Sequence, residues 1–199
     1  IELLAYQTSL DLDKRTGEVP INTSLFPKEK FKTAVEIMKG PFKAGLCVSE
    51  LVAVASEKEM LGEVTVPPGM VGLATVSNVA INGALLKAGV PLDSRFGGVL
   101  QFHNNSPFRF IELIECSGCS LSPAEIFVAS KMTKVREAAS LGEGKILAHF
   151  RELPAACRPM VETILGKLKE AGIGGVIVMG KPNETLCEIP VGFNKVGMI

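Results

Sequence analysis

Tryptophan is absent from the 199 residues and tyrosine occurs once, which argues against a protein interface built on aromatic hot spots. No surplus of basic charge exists either. Lys plus Arg and Asp plus Glu stand at 21 each, so the chain lacks the electrostatic footprint of a domain that grips a phosphate backbone unaided. Neither G-x-G-x-x-G nor G-x-x-x-x-G-K-S/T occurs, which removes the common glycine-rich phosphate cradles. No apolar run approaches the roughly 20 residues of a membrane span, and no signal-peptide pattern opens the chain. The cysteines number 5, an odd count in a chain too large to need disulfide staples, and this points to a reducing cytoplasm. What remains is a globular composition, 47% hydrophobic and 21% charged. It fits one large domain or two small ones, burying about 70% of the unfolded surface.

The most informative stretch is Val71–Pro91, VGLATVSNVAINGALLKAGVP. It reads as a buried strand to Val76, a polar turn at Ser77 and Asn78, and a small-residue helix to Lys87. Gly89 is placed to end that helix and Pro91 to forbid its continuation. A strand feeding a helix N-terminus leaves backbone N–H groups unpaired with the positive end of the helix dipole behind them. That is a seat for a carboxylate or phosphate.

Taken in order, residues 1–10 carry a strand-like apolar pattern, and Val19–Leu25 reads as an edge strand pairing back across LDLDKRTGE. Pro27 suits a helix start. Phe31, Val35 and Met38 follow at helical spacing, ended by Gly40-Pro41 and then Lys43-Ala44-Gly45. Strands are expected at Leu51–Ala55 and into Val66-Pro67-Pro68-Gly69. A hairpin follows the focal unit, Gly97–His103 against Pro107–Glu115. Ser122-Pro123-Ala124-Glu125 matches a capping box for a helix to about Met132. Lys145–Phe150 is a strand, Pro154 opens an amphipathic helix, and Gly174–Met179 is a buried strand. The fold class is α/β, mixed sheets flanked by helices. An internal echo suggests duplication of a helix-strand-strand unit: Ala44-Gly45-Leu46 and Val66-Pro67-Pro68-Gly69 recur as Ala171-Gly172-Ile173 and Ile189-Pro190-Val191-Gly192. Beginning at Ile1 and stopping within a strand at Ile199, the chain reads as a piece of a longer protein.

Several blocks together carry a resemblance. TGEVPINTSLFPKEKFKTAVEIMK, VGLATVSNVAINGALLKAGVPLDSRFGG, SLSPAEIFVASKMTKVREAA, GEGKILAHFRELPA and AGIGGVIVMGKP with IPVGFNKVGMI resemble the regulatory domain of the archaeal nitrogen-regulatory repressors (NrpR). The resemblance implies that residues 1–199 are one effector-sensing domain, with a DNA-binding winged helix expected before residue 1. It further implies 2-oxoglutarate as effector, homodimerisation, contact with operator DNA only through the separate winged helix, no cofactor and no catalysis. One departure stands in the focal turn, where Ser77-Asn78 replace a Cys-Ser pair frequent in that family.

Candidate ligand residues are Thr75, Ser77, Asn78 and Asn82 at the helix start, with Arg95, Arg109, Arg136 and Arg151 as cations. Arginine can hold one end of a dicarboxylate with two parallel hydrogen bonds. The bland readings stand beside these: Thr75, Ser77 and Asn78 as helix caps, each arginine as a surface or ion-pair residue. Cys116-Ser117-Gly118-Cys119 lacks a second ligand pair at zinc spacing and reads as small half-buried residues, without metal. With His103 and His149 outside any motif, no nucleophile–base–acid set can be assembled. An α/β metabolic enzyme acting on a small carboxylate or phosphate is the alternative.

Overall fold

A computed structural model describes residues 2–119 and 121–199. The chain divides into two compact units, one holding residues up to Ala88 with Thr163–Gly175, the other Gly89–Glu162 with Val176–Ile199.

In the first unit a three-stranded antiparallel sheet has the order β1-β5-β2, with β1 Ile21–Pro27, β2 Val52–Ala55 and β5 Met70–Val76. A small hairpin, β3 Met60–Leu61 and β4 Val64–Thr65, folds beside it. Ala55, Leu61, Val66 and Ala74 form a buried cluster with Met70 against it. The helices are α1 Glu2–Gln7, α2 Lys28–Lys43 and α3 Val79–Lys87. Every residue of α3 from Val79 to Leu85 is buried, which explains its small, polar-poor sequence.

The second unit is built on a four-stranded antiparallel sheet, β7-β6-β8-β9. Its strands are β6 Asp93–His103, β7 Ser106–Glu115, β8 Gly144–Pro154 and β9 Lys195–Met198, with α4 Pro123–Ala129 and α5 Val135–Leu141. Leu100, Val99, Phe150, Leu153 and Val196 are fully buried on these strands. Helix α6, Arg158–Glu170, buries Val161, Ile164 and Leu168 at helical spacing.

Sheets accompanied by helices are therefore what the chain forms, but the named sheets are antiparallel throughout rather than mixed, and several expected elements differ. Residues 2–7 form α1 rather than a strand. Ala5 is 1% exposed while Leu3, Leu4 and Tyr6 are open to solvent, so one narrow face makes the contact. Strand β1 pairs with β5 instead of folding back on the N-terminus. Helix α2 passes through Gly40 and Pro41 to Lys43, because so near the end the N–H missing at Pro41 costs a single ladder bond. The expected strand at Val66–Gly69 is the short β3–β4 hairpin followed by a turn. The Ser122 side chain caps nothing, and Glu125 gives its N–H to the Ser122 carbonyl at 3.0 Å. Helix α4 ends at Ala129, and α5 was not foreseen. A 3-10 turn, Ala155–Cys157, precedes α6. Gly174–Met179 is no strand. Its pairing comprises a Met179–Met198 bridge, N–H bonds from Ile177 and Val178 to the Ile199 carbonyl, one from Ile199 back to the Val178 carbonyl, and one from Gly174 to the Val48 carbonyl.

The duplication is present in the backbone, in a register that differs from the sequence echo. Pro27 and Pro154 share one conformation, φ −56° and ψ 136° against φ −59° and ψ 136°. Each ends a strand and opens a helix. Both helices close with the same left-handed glycine cap. Gly45 (φ +69°) and Gly172 (φ +80°) are followed by Leu46 and Ile173, whose N–H groups reach back to Pro41 and Leu168 at 3.0 and 2.9 Å. Later, Met70 bonds to Pro67 as Lys195 bonds to Gly192, and the Gly69 and Asn194 carbonyls accept from Lys28 and Ala155. Val66-Pro67-Pro68-Gly69 thus corresponds to Val191-Gly192-Phe193-Asn194, two residues beyond the sequence echo. Gly72 confirms the shift: a Cβ there would strike Val66 and Leu61, as one at Gly197 would strike Val191 and Leu186. In this register β1 corresponds to β8 and β5 to β9.

Candidate functional site

The focal turn lies in the first unit, where central strand β5 runs into α3. Thr75 is half-buried on β5, opposite Asn22 of β1 and Val52 of β2. Ser77 is 7% exposed and donates its N–H to the Pro20 carbonyl at 2.9 Å. Its Oγ accepts the Val79 N–H at 3.4 Å, and its carbonyl accepts the Ala80 N–H at 3.1 Å. Asn78 holds the N-cap position with helical φ −63° and ψ −14° and no side-chain cap bond. One turn on, Asn82 is 4% exposed. Spacing of four residues puts Asn78 and Asn82 on one helix face. Two polar amide side chains thus stand at the positive end of a helix otherwise apolar throughout its buried length.

The four arginines all belong to the second unit, in four different settings. Arg95 on β6 is engaged: its Nη1 meets Glu152 at 2.7 Å, and its guanidinium sits 4.8 Å from the Phe96 ring centroid. Arg109 on β7 is exposed, donating from Nε to Gln101 at 3.2 Å. Phe110 is buried, which by strand alternation directs Arg109 outward. Arg136 is exposed on α5. Arg151 on β8 is 3% exposed, and burial lowers its pKa to about 10. His149, two residues earlier on the same face, has its pKa pushed down to about 4 by burial and then by Arg151.

Sequence reasoning missed Glu152. Only 2% exposed, it accepts from Arg95, from Lys195 at 2.9 Å and from the Gly192 N–H at 3.1 Å. Burial raises its pKa, but the Lys195 and Arg95 bonds and the Gly192 N–H outweigh that and hold it below the usual carboxylate range. The signal was available: Arg151-Glu152 is a charged pair inside the apolar strand ILAHFRELP. Cys116 is half-buried and Cys119 exposed, and all five thiols are free. Among the described residues no three His, Cys, Asp or Glu side chains converge as a metal site, and no helix is long and apolar enough to cross a membrane.

Comparison with known proteins gives this geometry its context. The family described as NrpR regulatory domains NRD1 and 2 matches residues 1–199. The chain is 38% identical over 197 residues to the global nitrogen regulator NrpRI of Methanosarcina mazei, covering 99% of this chain and 60% of that protein. It is 28% identical over 193 residues to the global nitrogen regulator NrpR of Methanocaldococcus jannaschii, covering 97% of this chain and 31% of the relative. The crystal structure of a nitrogen repressor-like protein from Methanococcus jannaschii superposes with a TM-score of 0.80 at 26% identity. That match covers 99% of this chain and 79% of the other. Matched along its whole length, and at well above 30% identity to one named regulator, the chain belongs to the family of NrpR regulatory domains.

Proposed function

We propose that residues 1–199 are the effector-sensing and dimerising part of a repressor of nitrogen-assimilation genes, and that 2-oxoglutarate is the effector. Family membership supports the regulatory role. The observation that carries the ligand reading is the turn from β5 into α3, where Ser77, Asn78 and Asn82 crowd the positive end of a buried helix. Such an end favours a carboxylate. Arginine is the side chain suited to a second carboxylate, because its fork offers two parallel hydrogen bonds. Arg95 is the weakest of the four candidates because Glu152 already occupies it. Sensing also requires the effector to prefer one conformation, since equal affinity for two states shifts nothing.

Calorimetry of this chain with 2-oxoglutarate tests the reading. Binding is expected, and Asn78→Asp is expected to weaken it at least tenfold by placing a negative charge at the seat. The same substitution supplies a good N-cap and so should leave thermal stability unchanged or slightly raised. Loss of binding without loss of folding isolates the site. Undiminished binding by that variant would place the effector elsewhere.

A further inference from the structure

The one pair of cysteines close in sequence, Cys116 and Cys119, stands where β7 ends. That strand stops at Glu115, and Ser117 and Gly118 are the centre of the turn that follows. The Cys116 N–H still donates to the Arg95 carbonyl at 2.9 Å, next to the Phe96–Glu115 pair, so the sheet fixes the first corner of the turn. Gly118 has φ +72°, the left-handed conformation that a type II turn places at its third residue. The outer Cα atoms of such a four-residue turn lie within about 7 Å of each other, and a disulfide joins Cα atoms about 4.4–6.8 Å apart. Two thiols are thus held at bonding range by a turn of the second unit. Their surroundings differ. Cys119 is exposed and Cys116 half-buried. Burial pushes the Cys116 thiol up, Arg151 opposes that, and Cys119 adds to it. Arg151 is itself 3% exposed. Burial and Glu50 act on Cys47, and burial and Glu188 on Cys187, so in these cases the pressure comes from elsewhere than a second thiol.

We propose that Cys116 and Cys119 form a thiol–disulfide exchange site, which takes a low-molecular-weight disulfide as oxidant and closes reversibly to an intrachain disulfide. Cys119, the exposed member, attacks first as thiolate. The S–S bond of the external disulfide R–S–S–R breaks, a Cys119–S–S–R bond forms, and one RS⁻ leaves. Cys116 then gives up its proton and attacks the Cys119 sulfur. The Cys116–Cys119 bond forms and the second RS⁻ leaves. The protons of the two cysteines end on the two RSH released, so the chain loses two electrons and the external disulfide gains them. The Arg151 guanidinium favours the Cys116 thiolate in the second step and offsets part of its burial. A disulfide closing so short a loop beside solvent is of the labile kind, and excess thiol reopens it. The free thiols of the present structure are the reduced state of this pair. The inference does not depend on which effector binds.

Oxidised glutathione is the probe that tests it. The native, reduced chain is exposed to it and quenched with acid, the remaining thiols are alkylated in denaturant, and the product is weighed and mapped. The expected result is the loss of two alkylated positions, Cys116 and Cys119, with no glutathione retained and both positions regained on adding dithiothreitol. Cys116→Ser should stall with one glutathione on Cys119, because nothing expels it. Cys119→Ser should react at Cys116 about tenfold or more slowly than the wild type reacts at Cys119, since the remaining thiol is the shielded one. A wild type that stays reduced at both positions would overturn the proposal. So would one that keeps glutathione on Cys119, or that joins two chains instead of closing the turn. Equal rates in the Cys119→Ser variant and the wild type would overturn the order of attack and with it the roles given to the two thiols.

Discussion

Buried titratable side chains decide how this molecule responds to pH. His149 stands opposite Gly97 in the β6–β8 pairing, with its Nε2 3.4 Å from where a Gly97 Cβ would stand, and has a folded pKa of about 4 against an ordinary 6.5. A depressed histidine contributes full stability above pH 6.5 and loses it as pH falls toward 4, because only the unfolded chain takes up the proton in that window. The loss across the window is roughly 3 kcal/mol at 1.36 kcal/mol per unit. Urea titrations in that range should show the wild type weakening by this amount relative to a His149→Gln variant. An identical slope in the two proteins would contradict the buried neutral ring. Glu152 behaves oppositely at neutral pH, being charged and needed. Glu152→Gln leaves Arg95 and Lys195, whose side chains are 33% and 38% exposed, facing a neutral amide in place of a buried carboxylate. It should lower stability by about 1–2 kcal/mol in urea denaturation at pH 7. The charged pair Arg151-Glu152 marks the strand in the sequence, but not what the side chains meet. Their chemistry comes from strand neighbours distant in sequence, Gly97 opposite His149 and Asp93 opposite Glu152, and periodicity alone does not reveal such neighbours.

Among the elements, those marked by local punctuation were legible in the sequence, and those held by distant contacts were not. The Val76–Ser77–Asn78 junction, the β6–β7 hairpin with Asn104 and Asn105 at positive φ, and the glycine caps of α2 and α6 are all fixed by residues within a few positions. Helix α1 is not. Its stripe reads equally as a strand, and only the docking of Ala5 and Thr8 near Gly83 of α3 selects the helix. A Cβ at Gly83 would lie 2.4 Å from Thr8 Oγ1 and 2.7 Å from the Ala5 carbonyl, so the glycine is required for the approach of α1 and not for α3 itself. Gly83→Ala should raise the intrinsic helix propensity of α3. Overpacking of about 1–3 kcal/mol should still dominate and loosen α1. Faster proteolysis near Gln7 with a lowered melting temperature is the expected signature. A stabilised protein would show that α1 contributes nothing. Gly174–Met179 errs in the other direction: its apolar run reads as a strand, yet it makes only a bridge and a few backbone bonds to Met198 and Ile199.

At the scale of the whole molecule, the balance of charge bears on DNA binding. With 21 basic and 21 acidic residues, the chain has no cationic surplus with which to release counterions from a duplex. Residues 1–199 alone should therefore give no sequence-specific gel shift at physiological salt, and specific retention would refute this. Two-fold operators suit two-fold proteins. Sedimentation at about tens of micromolar, a concentration scale set by weak association, should accordingly show a dimer. If residues 1–199 sense an effector without binding DNA, their influence in an intact repressor must pass through a difference between two conformations. A tenfold change in operator affinity then requires about 1.4 kcal/mol of coupling. Linkage makes that coupling reciprocal, so operator DNA must weaken effector binding by the same factor. Calorimetry of 2-oxoglutarate on an intact repressor, with and without operator, should show that tenfold loss. Equal affinity in the two titrations would mean that the effector site and the DNA reader are uncoupled.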